Sequence, residues 1–138
     1  MTPEEKARQK IDQWFTDAGW EVINRDDYEP TCTAVAIREG LLKGNLEADY
    51  FLFINGKAVG VLEAKREETD AFSSIVCEQA ALYARSVPNI YQTYQKPLPF
   101  IFTSNGKELY FCDFREQDHY FKQIMTIPTP HELSLIHI

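Results

Sequence analysis

Two apolar segments in the middle of the chain give its clearest pattern of hydrophobic and polar positions. Residues 50–54 read YFLFI, residues 58–64 read AVGVLEA, and the dipeptide Asn55-Gly56 lies between them. Asn-Gly between two apolar runs is the strongest short-range sequence signal for a β-hairpin. Apolar residues lie on both faces of the two predicted strands, so we expect a central hairpin that is covered on both sides.

The segments on either side of this hairpin predict helices and further strands. Thr2-Pro3-Glu4-Glu5 has the composition of a helix start with Thr2 as N-cap, and Gly19 ends the helical spacing of apolar residues. Residues 72–86 predict a second helix. Its expected buried or half-buried positions are Ile75, Val76, Gln79, Leu82 and Tyr83. A second hairpin is predicted around Ser104-Asn105-Gly106, because alternating apolar segments flank it.

Four less regular segments complete the predicted elements. Trp20 to Asn24 predicts a short strand, and Val35 to Ile37 predicts either a short strand or a helical turn. Residues 38–45 contain two glycines and predict an exposed loop that reaches the candidate site. Residues 127–131, IPTPH, predict an extended linker, because proline disfavours a helix there.

The composition is that of one ordinary globular domain. The chain has 138 residues, of which 44% are apolar and 25% are charged. No apolar run approaches the roughly 20 residues that a membrane helix needs, so we expect a cytoplasmic protein. The three cysteines and three histidines lack the spacing of zinc ligands. The net charge of −7 argues against a strong, independent DNA-binding surface.

Three charged residues interrupt the apolar hairpin. Asp49 lies on its first strand, and Glu63 and Lys65 lie on its second. Charged side chains are rarely buried unless they are paired, hydrated or bound to a metal. We therefore predict that these residues hold a divalent metal against a phosphodiester. The alternative is a buried ion pair between Lys65 and one of the two carboxylates.

The register of the hairpin decides whether the two carboxylates can meet. Strict alternation would place Val59, Val61, Glu63 and Lys65 on one face. A two-residue turn at Asn55-Gly56 would put Asp49 opposite Leu62, which leaves Asp49 and Glu63 on opposite faces. A metal site thus requires a shift of one residue. We predict either a three-residue loop with Gly56 in a bulge or a bulge near Asp49.

The motif D-x13-E-x-K at these positions resembles that of the PD-(D/E)xK nuclease superfamily. Within this superfamily, residues 2–132 are most similar to the N-terminal nuclease domain of the R subunit of type I restriction enzymes. That family has an acidic residue in its first helix, an Asp on one strand, E-A-K on the next and a Q-x-x-x-Y helix. The residues that match are Glu4 (or Glu5), Asp49, Glu63-Ala64-Lys65, Gln79 and Tyr83.

The resemblance implies a fold and a chemistry. The implied fold is an α/β restriction-endonuclease-like core with a central mixed β-sheet flanked by helices on both faces. The implied cofactor is Mg²⁺, for which Mn²⁺ can substitute, bound by Asp49, Glu63 and the backbone carbonyl of Ala64. A lysine beside two acids stays protonated, so we expect Lys65 to stabilise negative charge rather than act as a base. Gln79 and Tyr83 would position the DNA backbone or the lysine.

The same resemblance implies domain boundaries and partners. Residues 1–126 would form the nuclease domain, and residues 127–132 would form a linker toward an ATP-driven motor. That motor is missing here, since the chain has no G-x-x-x-x-G-K-[ST] motif. Residues 133–138, LSLIHI, match a translated transposon end used in sequencing libraries, so we expect a non-native tail. The expected partners are double-stranded DNA and the methyltransferase and specificity subunits of a restriction complex, with no membrane.

Several alternatives stay open at this point. The domain could be a PD-(D/E)xK nuclease of another helicase-linked repair or mobile-element protein, or a catalytically idle DNA-docking module. Glu4 lies one turn before Ala7 and is therefore expected on the inward face of the first helix, although Glu4 and Glu5 could simply complement the helix dipole. Gln79 and Tyr83, four residues apart on one helix face, could simply belong to a core helix. The nuclease interpretation predicts non-specific cleavage, because contacts to phosphates carry no sequence information.

Overall fold

The computed structural model describes residues 1–29, 33–116 and 120–136, and for residues 135 and 136 it describes the backbone alone. Within these ranges the helices are α1 (Pro3–Asp17), α2 (Ser74–Ala84) and α3 (Pro130–Ile136). The strands are β1 (Glu21–Asn24), β2 (Ala34–Leu41), β3 (Glu47–Ile54), β4 (Lys57–Ala64), β5 (Gln92–Thr93), β6 (Phe100–Ser104), β7 (Leu109–Asp113) and β8 (Lys122–Ile124). No helix in the described ranges is both long enough and apolar enough to cross a membrane.

The strands form one mixed sheet of eight strands in the order β1-β2-β3-β4-β6-β7-β8, with β5 also paired to β4. The pairs β1·β2, β4·β5 and β4·β6 are parallel, and the other pairs are antiparallel. The β3–β4 hairpin lies in the middle of the sheet, with α1 packed on one face and α2 on the other. The predicted α/β fold, a central mixed sheet with helices on both faces, is confirmed.

The core consists of two layers, one on each face of the sheet. The layer on the α2 side includes Phe51, Phe53, Val61, Ala80, Tyr83 and Ile101. The layer on the α1 side includes Ile11, Phe15, Tyr50, Leu52, Leu62 and Phe102. Residues 50–54 of β3 alternate between these layers, as expected for a strand that is buried on both faces.

Both long helices begin at side-chain caps. The Thr2 hydroxyl accepts a hydrogen bond from the Glu5 amide at 3.1 Å, as predicted. The Ser73 hydroxyl accepts one from the Val76 amide at 3.3 Å and starts α2. The predicted burial of Ile75 and Leu82 is wrong, because their side chains are exposed. The buried face of α2 is instead formed by Val76, Ala80, Tyr83 and Ala84.

Two other local predictions are wrong in an informative way. Residues 38–41 belong to β2 rather than to an exposed loop, because they pair with β3 as far as Leu41 opposite Glu47. The segment 127–131 does not stay extended, since α3 begins at Pro130. Proline suits the first position of a helix, and Thr129 and Glu132 form a reciprocal capping box there.

The proposed linker and tail fall on this last helix. Leu133, the first residue of the expected non-native tail, is fully buried in the α1-side layer. Residues 137 and 138 lie outside the described residues. The origin of residues 133–138 and the boundaries at 126 and 132 stay predictions.

The central hairpin departs from a regular ladder at one residue. Its turn is the two-residue type I′ form, with positive φ at Asn55 (50°) and Gly56 (79°). Phe53 pairs with Ala58, but Leu52 pairs with Gly60, so Val59 is an extra residue in β4. The expected one-residue shift of register is present, but both predicted positions are wrong, because the bulge lies at Val59 rather than near Asp49 or in the turn.

This bulge reverses the side-chain alternation of β4. Val59 packs in the α1-side layer, whereas Val61 packs in the α2-side layer. The expectation that these two valines share a face is therefore wrong. Beyond the bulge, Tyr50 pairs with Leu62, so the register places Asp49 opposite Glu63.

Candidate active site

Asp49 and Glu63 meet at the ends of β3 and β4. The pairing of Tyr50 with Leu62 places Asp49 opposite Glu63, and the Asp49 charge contributes to the raised pKa of Glu63. Lys65 joins them from the residue after β4, with its Nζ 3.1 Å from Glu63 Oε1. The structure therefore brings together the three charged residues that the sequence singled out.

Glu63 is the most deeply buried of these groups. It is 4% exposed, and burial first and the neighbouring Asp49 second raise its pKa to about 7, although Lys65 opposes the shift. Its Oε1 contacts Lys65, and its Oε2 is buried and accepts no hydrogen bond from a donor among the described residues. A hydrogen bond between the protonated Glu63 and Asp49 also contributes to the raised pKa of Glu63. A buried carboxylate oxygen without a donor is costly, and a bound cation would satisfy it.

Asp49 is held by two donors from different elements. Its Oδ2 accepts a hydrogen bond from the Ala64 backbone amide at 2.7 Å. Its Oδ1 accepts one from Nη2 of Arg8, which reaches across from α1. The carboxylate is thereby fixed beside the last residue of β4, where the predicted carbonyl ligand also lies.

Arg8 is the residue of this site that sequence reasoning missed. Its Nη1 also contacts Glu39 Oε1 at 3.3 Å, and its backbone carbonyl accepts a hydrogen bond from the Tyr50 hydroxyl at 3.1 Å. The Asp49 carboxylate raises the pKa of Arg8 against the lowering effect of burial. One available signal was the position of Arg8 directly after Ala7, at the edge of the apolar stripe of α1.

Glu4 does not lie on the inward face of α1, where the sequence pattern predicted it. Glu4 is exposed, so its predicted inward orientation is wrong. The first buried residue of α1 is Ala7, and the first turn of the helix projects beyond the packed part. Glu5 is also exposed, and its backbone amide serves the Thr2 cap. Whether either acid belongs to the site stays a prediction.

Gln79 and Tyr83 line the α2 side of the site. They are one helical turn apart, and Gln79 Nε2 donates a hydrogen bond to Tyr83 Oη at 3.1 Å. Burial first, and then the negative charge of Glu63, raise the pKa of Tyr83. The tyrosine hydroxyl is therefore within electrostatic reach of the two carboxylates.

Comparison with known proteins fits this geometry. Residues 35–120 match the family of the type I restriction enzyme R protein N terminus. The chain belongs to this family. The matched range includes Asp49, Glu63, Lys65, Gln79 and Tyr83.

One solved structure is similar to this R-protein N-terminal domain over almost its whole length. It is the fragment structure of a protein described as an HsdR subunit of a type I restriction enzyme from Vibrio vulnificus YJ016. The TM-score is 0.62 with 21% sequence identity, and the match covers 98% of this chain and 25% of that chain. The similarity shows a common fold, and the chain spans about a quarter of the length of that protein. No curated protein matches the chain.

In this R-protein N-terminal domain, one buried amide organises the loop that follows Lys65. Asn105 is 3% exposed, and its Nδ2 donates hydrogen bonds to the carbonyls of Glu67 and Thr69 at 3.3 and 2.9 Å. Its Oδ1 accepts hydrogen bonds from the backbone amides of Lys107 and Glu108. All four hydrogen-bonding positions of the side chain are used, so the β6–β7 turn fixes the start of this loop.

The two carboxylate side chains and the neighbouring backbone at this site are suited to bind a divalent metal together. No group of three or more His, Cys, Asp or Glu side chains within the described ranges could hold a metal ion. Asp49 and Glu63 form a pair, and Glu63 Oε2 is the oxygen that no donor among the described residues reaches. Mg²⁺ is usually bound through one or two carboxylates, with carbonyl and water oxygens completing its shell, so a pair is sufficient.

Proposed function

We propose that this domain is the Mg²⁺-dependent DNA endonuclease of a type I restriction R subunit. It would hydrolyse phosphodiester bonds without sequence preference when an ATP-driven translocase in the same subunit delivers the DNA. The observation that carries this proposal is the buried Oε2 of Glu63, which no donor among the described residues reaches, beside Asp49 and Lys65. Membership of the type I R-protein family supports the restriction context.

The chain's own oxygens would hold the ion. Asp49 and Glu63 would supply two carboxylate ligands, and the backbone carbonyl of Ala64 would supply a third. The Ala64 amide donates to Asp49, and in an extended strand the amide and carbonyl of one residue point to the same side. When bound, Mg²⁺ activates water and neutralises charge on the phosphate oxygens.

Lys65 would stabilise the negative charge that develops on the phosphate. Its ammonium lies 3.1 Å from Glu63 Oε1, and about a third of its side chain is exposed, so it can reach a bound substrate. A fixed positive charge in a site with little water is worth more than in solvent. We therefore assign Lys65 an electrostatic role rather than that of a general base.

Gln79 and Tyr83 would position the scissile backbone or Lys65. The hydrogen bond from Gln79 leaves the Tyr83 hydroxyl proton free to be donated to a phosphate oxygen or a carboxylate. This arrangement also explains why the two residues are four apart on a helix that packs against β4.

Target choice would belong to other subunits. With a net charge of −7, the domain would bind DNA weakly by itself. The methyltransferase and specificity subunits would select the target, and the motor would bring DNA to the site. Cleavage would then depend on delivery rather than on recognition by this domain.

The test is DNA nicking by the complete R protein with its partner subunits, in the presence of Mg²⁺ or Mn²⁺ and ATP. We expect Asp49→Ala and Lys65→Ala to reduce cleavage by at least about a hundredfold. Lys57→Ala, at the exposed lysine that begins β4, should cleave like wild type. ATP hydrolysis, measured in parallel, should be unchanged. If the Asp49 and Lys65 variants cut as fast as wild type, the site assignment is wrong.

A further inference from the structure

An arginine from α1 contacts one of the two candidate metal ligands directly. The Arg8 guanidinium donates to Asp49 Oδ1 through Nη2 and to Glu39 Oε1 through Nη1. The Tyr50 hydroxyl shares its proton between the Arg8 carbonyl and the Asp12 carboxylate, and both acceptors hold this part of α1 against β3. The guanidinium and the backbone carbonyl of Arg8 are thus both held by contacts at the site.

The backbone opposite Asp49 has an unusual conformation at Glu39. Glu39 lies opposite Asp49 in the β2–β3 register, between the pairs Arg38–Tyr50 and Gly40–Ala48. It has a positive φ of 55°, which a non-glycine residue rarely adopts. Its carboxylate contacts Arg8, so two carboxylates from neighbouring strands hold one guanidinium.

A guanidinium in this position must weaken cation binding. A metal ion bound by Asp49 and Glu63 would lie within a few ångströms of the permanent positive charge of Arg8. Arg8 also occupies one side of the Asp49 Oδ1 atom, leaving fewer lone pairs for the metal. The second effect acts through Asp49, whereas the first is a direct repulsion between Arg8 and the ion, and neither depends on the identity of the divalent ion.

We propose that Arg8 is a positioning residue that lowers the affinity of the Asp49–Glu63 pair for divalent metal by holding the Asp49 carboxylate. This inference rests on the proposed metal-dependent function of the same site. Arg8 keeps Asp49 in place and at the same time makes metal binding weak. A nuclease domain that loads metal weakly would stay inactive until DNA phosphates add their own ligands to the ion.

The test measures Mn²⁺ binding by the 138-residue chain, using calorimetry and electron paramagnetic resonance at one pH well above the ordinary carboxylate range. Arg8→Gln and Arg8→Met remove the charge, and Arg8→Met keeps the aliphatic stem if Arg8→Gln folds poorly. We expect both to bind Mn²⁺ about tenfold more tightly than wild type. Arg8→Lys, which keeps the charge, should stay within about threefold of wild type.

The pathway of the effect is tested in an Asp49→Asn background. There, Arg8→Gln should raise Mn²⁺ affinity by a smaller factor than in the wild-type background, because the part of the coupling that passes through the Asp49 carboxylate is lost. Equal or weaker binding by Arg8→Gln and Arg8→Met in the wild-type background would overturn the inference and leave the proposed function standing. If wild type and Asp49→Asn bind Mn²⁺ equally, the metal site itself fails, and the role of Arg8 fails with it.

Discussion

Asp49 of β3 lies opposite Glu63 of β4 because β4 contains one extra residue, Val59, in its pairing with β3. Without that bulge, the two-residue turn at Asn55-Gly56 would place Asp49 opposite Leu62. Glu63 would then project into the apolar layer on the α1 side. One backbone irregularity therefore decides whether the two carboxylates can act on the same ion.

The burial of Glu63 predicts a pH-dependent loss of stability. Its pKa is about 7 in the folded protein, above the ordinary 4.5. As the pH rises, Glu63 therefore keeps its proton to a higher pH in the folded state than in the unfolded state. The resulting loss of stability of the folded state grows between pH 4.5 and about pH 7 and is complete above pH 7. Without divalent metal, the free energy of unfolding of Glu63→Gln should exceed that of wild type by as much as about 3 kcal/mol above pH 7. Near pH 4 the two proteins should differ little.

Urea denaturation across this pH range measures the effect. The control is Glu68→Gln, a neighbouring exposed carboxylate, which should follow the wild-type profile. Parallel pH profiles for wild type and Glu63→Gln would show that Glu63 ionises freely in the folded state.

Divalent metal should stabilise the folded domain in a manner that depends on both carboxylates. Binding to the native state alone adds about 2.7 kcal/mol at a metal concentration one hundred times Kd. The increase in Tm with Mg²⁺ should be largest above pH 7, where Glu63 is ionised, and a chelator should reverse it. Thermal melts of Asp49→Asn should show no increase, whereas Asp26→Asn, at an exposed position, should respond like wild type.

Removing the Tyr83 hydroxyl should affect cleavage rather than folding. Tyr83→Phe keeps the ring in the α2-side layer but removes the group that accepts a hydrogen bond from Gln79. We expect nicking by the complete R protein to fall about tenfold, with the free energy of unfolding changed by less than about 1 kcal/mol. Tyr120→Phe is the matched control, since that ring is 69% exposed. Unchanged nicking by Tyr83→Phe would limit the residue to a packing role.

The loop after Lys65 should depend on Asn105. Asn105→Ala removes four hydrogen bonds and leaves two carbonyls and two amides without their partner. The expected loss in the free energy of unfolding is about 2–3 kcal/mol, measured by chemical denaturation. Asn89→Ala, at an exposed position, should cost less than about 0.5 kcal/mol. A loss for Asn105→Ala as small as that of the control would contradict this account.

Local sequence determined the elements whose signals lie within a few residues. Asn55-Gly56 specified the turn because both positions require positive φ, and Thr2 specified the start of α1 because its hydroxyl accepts from the Glu5 amide. The identities of Asp49, Glu63 and Lys65 also followed from sequence, since charged residues inside apolar strands need a compensating partner.

Tertiary structure alone decided how these pieces meet. The position of the bulge at Val59 depends on packing both core layers at once, and Gly60 beside it is the one local residue of a type that often marks a bulge. The contact between Arg8 and Asp49 joins residues 41 positions apart, so it exists only after α1 docks on β3. Sequence supplied the charged groups, whereas long-range packing decided which of them share the site.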